Sequence, residues 1–166
     1  MPLDKLPIKI SAGLGLSMID RAVKEMHASR CKKAELEEVR RYFQKNGELR
    51  CIYCGATGPT RWDHLHPVSR GGDTVPGNLV PACGRCDDSK QDREVEEWAR
   101  STSSLRPQQN ELPRIRREVK KYQKKFNYIP RKFESKLSDE QMSIYQSFQR
   151  ELQKLRTHLQ SMNLLK

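Results

Sequence analysis

No apolar run in this sequence approaches the length needed to cross a bilayer, so a spanning helix is excluded. The first sixteen residues, MPLDKLPIKISAGLGL, contain no uninterrupted hydrophobic core of the kind a secretory leader needs. Aromatic residues are scarce at 7%, and the hydrophobic share is only 35%, so the apolar core must be small. Acidic side chains are in deficit, with 21 against 32 basic ones. That balance favours a polyanionic partner. There is no internal repeat and no long low-complexity tract. A cytoplasmic protein without membrane attachment is the resulting expectation.

What the sequence does have is concentrated between Cys51 and Lys90. Two CxxC pairs, Cys51/Cys54 and Cys83/Cys86, bracket 28 residues. Each pair puts two sulfurs on one tight turn. Two such turns supply the four thiolates of a closed, structural Zn2+ site. The fifth cysteine, Cys31, has no partner in the pattern, which favours metal over disulfide pairing in a reducing compartment. The ion is expected to hold the fold and not to do chemistry. With so little apolar material, it is expected to be needed for stability as well as shape.

Charge is divided unevenly along the chain. Residues 1–50 carry 11 basic and 7 acidic side chains, residues 51–100 carry 6 and 8, and residues 101–166 carry 15 and 6. The cysteine-bracketed segment is slightly acidic, as a cation site tends to be. The basic charge lies outside it, mainly on the C-terminal side. That split suits a protein whose grip on a nucleic-acid backbone comes from outside its reactive unit.

Local patterning divides the chain into 1–50, 51–100, 101–111 and 112–166. Residues 1–16 read as an irregular arm. Ser17 to Ser29 reads as a helix, with Ser17 as its cap, and Lys33 to Lys45 as a second, stopped by Asn46-Gly47. Within the cysteine segment, Arg61 to Val68 and Asn78 to Ala82 read as short strands flanking the Gly71-Gly72-Asp73 loop. A short helix carrying Val95 and Trp98 follows, opened by Asp87 and Asp88. Residues 101–111, with Pro107, read as a linker. In Leu112 to Tyr128, Leu112, Ile115, Val119, Tyr122 and Phe126 form one apolar stripe among Arg114, Arg116, Arg117, Lys120, Lys121, Lys124 and Lys125. These seven cations are the expected DNA-binding residues. Ser138-x-x-Gln141 is a capping box opening a long last helix with a heptad-like seam from Tyr145 to Met162. That seam suits either a hairpin with the basic helix or a homodimer. The fold class expected is mostly α, with N-terminal helices, a small zinc-stapled module and a C-terminal helical hairpin.

The ordered pattern CxxC, DHxxPxSxGG, NLxxxCxxC and DxxK resembles the HNH endonuclease family with its ββα-metal fold. It covers about Cys51 to Trp98. The resemblance implies a metal-dependent nuclease acting on DNA, in a double-stranded form, in a setting of restriction, phage defence or a mobile or phage element. It implies residue roles as well. His64 matches the general base, and Asn78 the residue that braces the loop and orients it. Asp63 and Asp87 match the ligands of a catalytic divalent ion, Mg2+ or Mn2+. The position of Asp87 is often Asn or His in the family. His66, Arg70 and Lys90 are candidate phosphate contacts. Elementary chemistry agrees, since a neutral imidazole near pH 7 suits a base and paired carboxylates suit a hard ion. The alternative is a zinc-stabilised module that binds nucleic acid without cutting it.

Overall fold

The computed structural model describes residues 12–59 and 61–163. The expected irregular arm falls largely on residues 1–11, outside the described residues. In chain order the elements are α1 (Ala12–Met26), α2 (Lys33–Phe43), β1 (Gln44–Lys45), β2 (Glu48–Leu49), β3 (Arg61–His64), β4 (Leu79–Ala82), α3 (Gly84–Lys90), α4 (Val95–Ala99), α5 (Leu112–Lys125) and α6 (Asp139–Ser161). The protein is mostly helical with a small ββα module, as expected. No helix among the described residues is long and apolar enough to cross a membrane.

Two compact units divide the chain. One is Lys24–Ser135; the other joins the described residues up to Val23 with those from Lys136 onward. In the first, β3 and β4 pair antiparallel, with Asp63 opposite Val80 and His64 opposite Leu79. β4 is buried along its whole length, while β3 runs from exposed Arg61 through half-buried Trp62 to buried Asp63 and half-buried His64. The core gathers Val39 of α2, Ile52 and Tyr53 of the first knuckle, Val80 and Ala82 of β4, Trp98 of α4, and Ile115 and Tyr122 of α5.

The basic helix α5 is thus part of the zinc module's own core, and residues 101–111 do not set it apart as a separate region. Its stripe predicted the buried face correctly. Leu112, Ile115 and Tyr122 are buried, and the last two belong to this core. Tyr122 Oη donates to the Leu79 carbonyl of β4 at 2.7 Å. Its ring lies 4.6 Å from that of Phe43 and 5.0 Å from that of Tyr42, tying α5 to α2. Pro113 sits in the first turn of α5, where its missing N–H costs nothing.

Three local expectations are corrected. Ser17 does not cap α1: the helix already starts at Ala12, and Ser17 Oγ donates back to the Leu14 carbonyl. Asn46-Gly47 does more than stop α2. Both residues have positive φ, 52° and 80°, and they form the tight turn joining β1 to β2. Asp87 and Asp88 do not open the helix of Val95 and Trp98; they lie inside α3, which Cys83 caps.

In the other unit, α6 begins at the predicted capping box. Gln141 N–H donates to Ser138 Oγ, and Ser138 N–H to Gln141 Oε1. Asp20 of α1 accepts from Tyr145 Oη at 3.1 Å and Gln149 Nε2 at 2.5 Å. Leu16, Tyr145 and Leu152 are buried there.

Candidate metal centre and catalytic residues

The two knuckles bring four sulfurs together. In the first, Gly55 N–H donates to the Cys51 carbonyl at 2.9 Å, and Cys51 N–H to Ala56 at 2.8 Å. Gly55 has φ 74°, a conformation that glycine takes without steric cost. In the second, Cys83 and Cys86 straddle the start of α3. The four Sγ atoms lie within 4.8 Å of one another, and Cys54 and Cys83 are 3.7 Å apart. A tetrahedron with Zn–S bonds of about 2.3 Å has edges of about 3.8 Å. The donor set therefore fits a zinc ion. Hydrogen bonding from Cys86 pulls the Cys51 thiol down to about 5, while Cys86 is pushed up. Crowded thiols that already favour one thiolate are the environment a soft cation completes.

Successive strand residues face opposite ways, and β3 uses this to separate Asp63 from His64. Asp63 points inward and is only 5% exposed. Tyr53 Oη donates to its Oδ2 at 2.5 Å, and Lys90 Nζ lies 3.2 Å from Oδ1 and 3.1 Å from Oδ2. Lys90 is fully buried and also donates to the His64 carbonyl at 2.8 Å. Burial pushes the Asp63 carboxyl up, against the pull of Lys90 and Tyr53. His64 turns to the other face, where its Nε2 meets Thr74 Oγ1 at 3.0 Å.

The loop after β3 is braced by Asn78, which is wholly buried. Its Oδ1 accepts from His66 N–H, and its Nδ2 donates to the carbonyls of His66 and Asp73. The loop closes so tightly that a Cβ on Gly72 would collide with the His66 carbonyl, which accounts for the second glycine of the motif.

His66 sits between two acceptors. Its Nδ1 is 2.5 Å from Glu94 Oε1, and its Nε2 is 3.1 Å from the Arg131 carbonyl. Both ring nitrogens are taken, so His66 is not aimed at a phosphate. The Glu94 hydrogen bond holds its pKa above the ordinary imidazole value of 6.5. The stability contributed by this raised group is fully present below the unfolded value and is lost as pH rises through the folded value. The melting temperature of the parent is therefore expected to fall on raising pH above 6.5 more steeply than that of His66→Gln. Parallel slopes in thermal scans across this range would contradict the assignment.

The other predicted contacts are also engaged. Lys90 is no surface cation, because its ammonium lies in the Asp63 pair. Arg70 pairs with Glu97 at 2.7 Å. Asp87 and Asp88 both pair with Arg61, the former at 3.0 Å. On α5, Arg114 donates to the Ile52 and Tyr53 carbonyls of the first knuckle, and Arg116 chelates Glu96 with two 2.6 Å bonds. Arg117, Lys120, Lys121, Lys124 and Lys125 remain exposed. Sequence reasoning missed Tyr53, Arg61, Thr74 and Glu94. Only Tyr53, inside the CxxC turn, carried a signal.

Among the described residues, the four cysteines are the only group of three or more His, Cys, Asp or Glu donors gathered closely enough to hold an ion. Asp63 faces Lys90 and Asp87 faces Arg61, so as arranged these two carboxylates do not fit a shared divalent ion.

Residues 51–93 match the family model described as HNH endonuclease. No curated protein and no solved structure matches the chain. The matched segment holds the four-cysteine centre positioned to bind metal, consistent with a zinc-stapled HNH variant.

Proposed function

We propose that the chain is an endonuclease that hydrolyses DNA phosphodiester bonds, with His64 as the base. The observation that carries this reading is the HNH match over a module in which His64 is held on β3 by Thr74, next to an Asn78-braced loop. In the tautomer in which Nε2–H donates to Thr74, Nδ1 carries the lone pair a general base requires. A water attacking phosphorus would pass its proton to that nitrogen as the new P–O bond forms; the P–O3′ bond would break and the 3′ oxygen would take a proton from solvent, giving 5′-phosphate and 3′-hydroxyl ends. End analysis of cleaved duplex, single-stranded DNA and RNA oligonucleotides, with Mg2+, Mn2+ or EDTA, tests the substrate, the metal requirement and the ends together. The proposed settings are restriction, phage defence or a mobile or phage element.

A second reading is a zinc-stabilised module that binds nucleic acid without cutting it. The specific observation in its favour is that Asp63 and Asp87 are both already paired with the chain's own cations. Oligonucleotide binding without cleavage under any divalent ion would select it.

Under both readings the exposed cations of α5 supply affinity. Replacing Lys120, Lys121, Lys124 and Lys125 by Ala is expected to weaken DNA binding and flatten its salt dependence. Each lost phosphate contact lowers the log–log slope by about 0.9 for duplex DNA. Binding titrations at several salt concentrations measure it; an unchanged slope would mean this face meets something other than phosphate.

A further inference from the structure

We propose that Asp63 and Lys90 are positioning residues, forming an internal brace that fixes the His64 strand to α3, and that Asp63 is not a ligand of a catalytic ion. The proposal rests on the nuclease reading for its link to catalysis, and on geometry alone for the brace.

Three observations converge. Lys90 comes from the last residue of α3, runs wholly inside the protein, and among the described residues is the one cation paired with Asp63. Its ammonium spans the two consecutive residues of β3, taking one carboxylate oxygen of Asp63 and the backbone carbonyl of His64. Tyr53, from the first zinc knuckle, closes the remaining side with a hydroxyl donated to Asp63 Oδ2. The carboxylate therefore links three parts of the module: the knuckle, the strand and the helix. A buried lysine without a counter-charge is strongly disfavoured, so Asp63 is what permits Lys90 to be there. Lys90 in turn restrains the peptide carrying the proposed base. A dication on Asp63 would have to share its carboxylate with the Lys90 ammonium inside a poorly solvated interior, and the like-charge repulsion opposes its binding.

The two roles give opposite results when both residues are changed. In Asp63→Asn the ammonium is stranded, and the melting temperature is expected to fall sharply. In Asp63→Asn with Lys90→Met no buried charge remains, and the melting temperature is expected to recover most of that loss. The double variant is expected to fold and so to be comparable with the parent. Its zinc content and its Mn2+ affinity, measured by titration of free Mn2+, are expected to match the parent within about twofold. Its cleavage is expected to fall by less than about tenfold, the order expected for one lost hydrogen bond to the His64 carbonyl. That loss is expected in kcat, with KM for DNA unchanged.

A double variant that folds, holds zinc, yet loses Mn2+ binding and all cleavage would overturn the proposal and make Asp63 a ligand. Melting losses that simply add, with no recovery, would overturn the brace. If the parent neither binds Mn2+ nor cuts, the nuclease reading falls, while the melting cycle still decides the brace.

Discussion

Cys83→Ala is expected to unfold the Lys24–Ser135 unit at room temperature, not merely to soften it. Structural zinc contributes about 10–16 kcal/mol in small zinc-dependent folds at neutral pH. A whole domain is stable by only about 5–15 kcal/mol. Losing the ion therefore removes an amount comparable to everything that holds the unit together. Cys83 is an especially costly position. It follows β4 directly, caps α3, and stands in the knuckle that brings the sulfurs of Cys51 and Cys54 within reach. The damage should also spread. Arg114 of α5 is anchored on the Ile52 and Tyr53 carbonyls, whose geometry exists only while the first knuckle is closed. Circular dichroism should show helix loss beyond the module itself, and elemental analysis of the parent should find about one zinc per chain. A metal-free protein with a native spectrum and a cooperative melt would refute the structural role.

How much of this could be read from sequence depended on whether the information was local. The cysteine pairs were legible because each knuckle is a four-residue turn whose chemistry lies in the residues themselves. The Ser138 capping box was legible for the same reason: donor and acceptor are three residues apart. The stripe on α5 gave the buried face, since periodicity reports a face. It could not give the partner, and Ile115 and Tyr122 of α5 complete the zinc module's core. Asn46-Gly47 was legible as an end of α2 but not as a hairpin, because the two-residue strands on either side are too short to show alternation. Lys90 was misread because lysine is almost never fully buried unless paired. Its partner Asp63 lies 27 residues earlier, beyond the reach of any local pattern. The same distance problem hid Glu94 from His66 and Arg61 from Asp87.

His64→Ala is expected to lower cleavage by roughly 10²- to 10⁴-fold, the range a general base contributes. Zinc content, fold and DNA affinity should stay at the parent's level. The side chain is only part-buried, and its Nε2 meets Thr74 Oγ1 on the other face of β3 from the Asp63 carboxylate. Truncating it leaves the four sulfurs and the core untouched. Asn78→Ala should act differently. It frees three hydrogen-bonding groups of the loop at once, so it should cost stability as well as rate. This contrast separates a group that does chemistry from one that holds the loop. A His64→Ala protein that cuts as fast as the parent would remove the base from His64. His66 would not be its natural heir, since both of its ring nitrogens are already committed.

The most direct measurement is conversion of supercoiled plasmid by the zinc-loaded parent and by His64→Ala, side by side, with Mg2+, with Mn2+ and with EDTA. The prediction is nicked or linear product from the parent with a divalent ion, none in EDTA, and little or none from His64→Ala at equal DNA binding. A parent that binds the plasmid and leaves it intact under every ion would contradict the nuclease assignment.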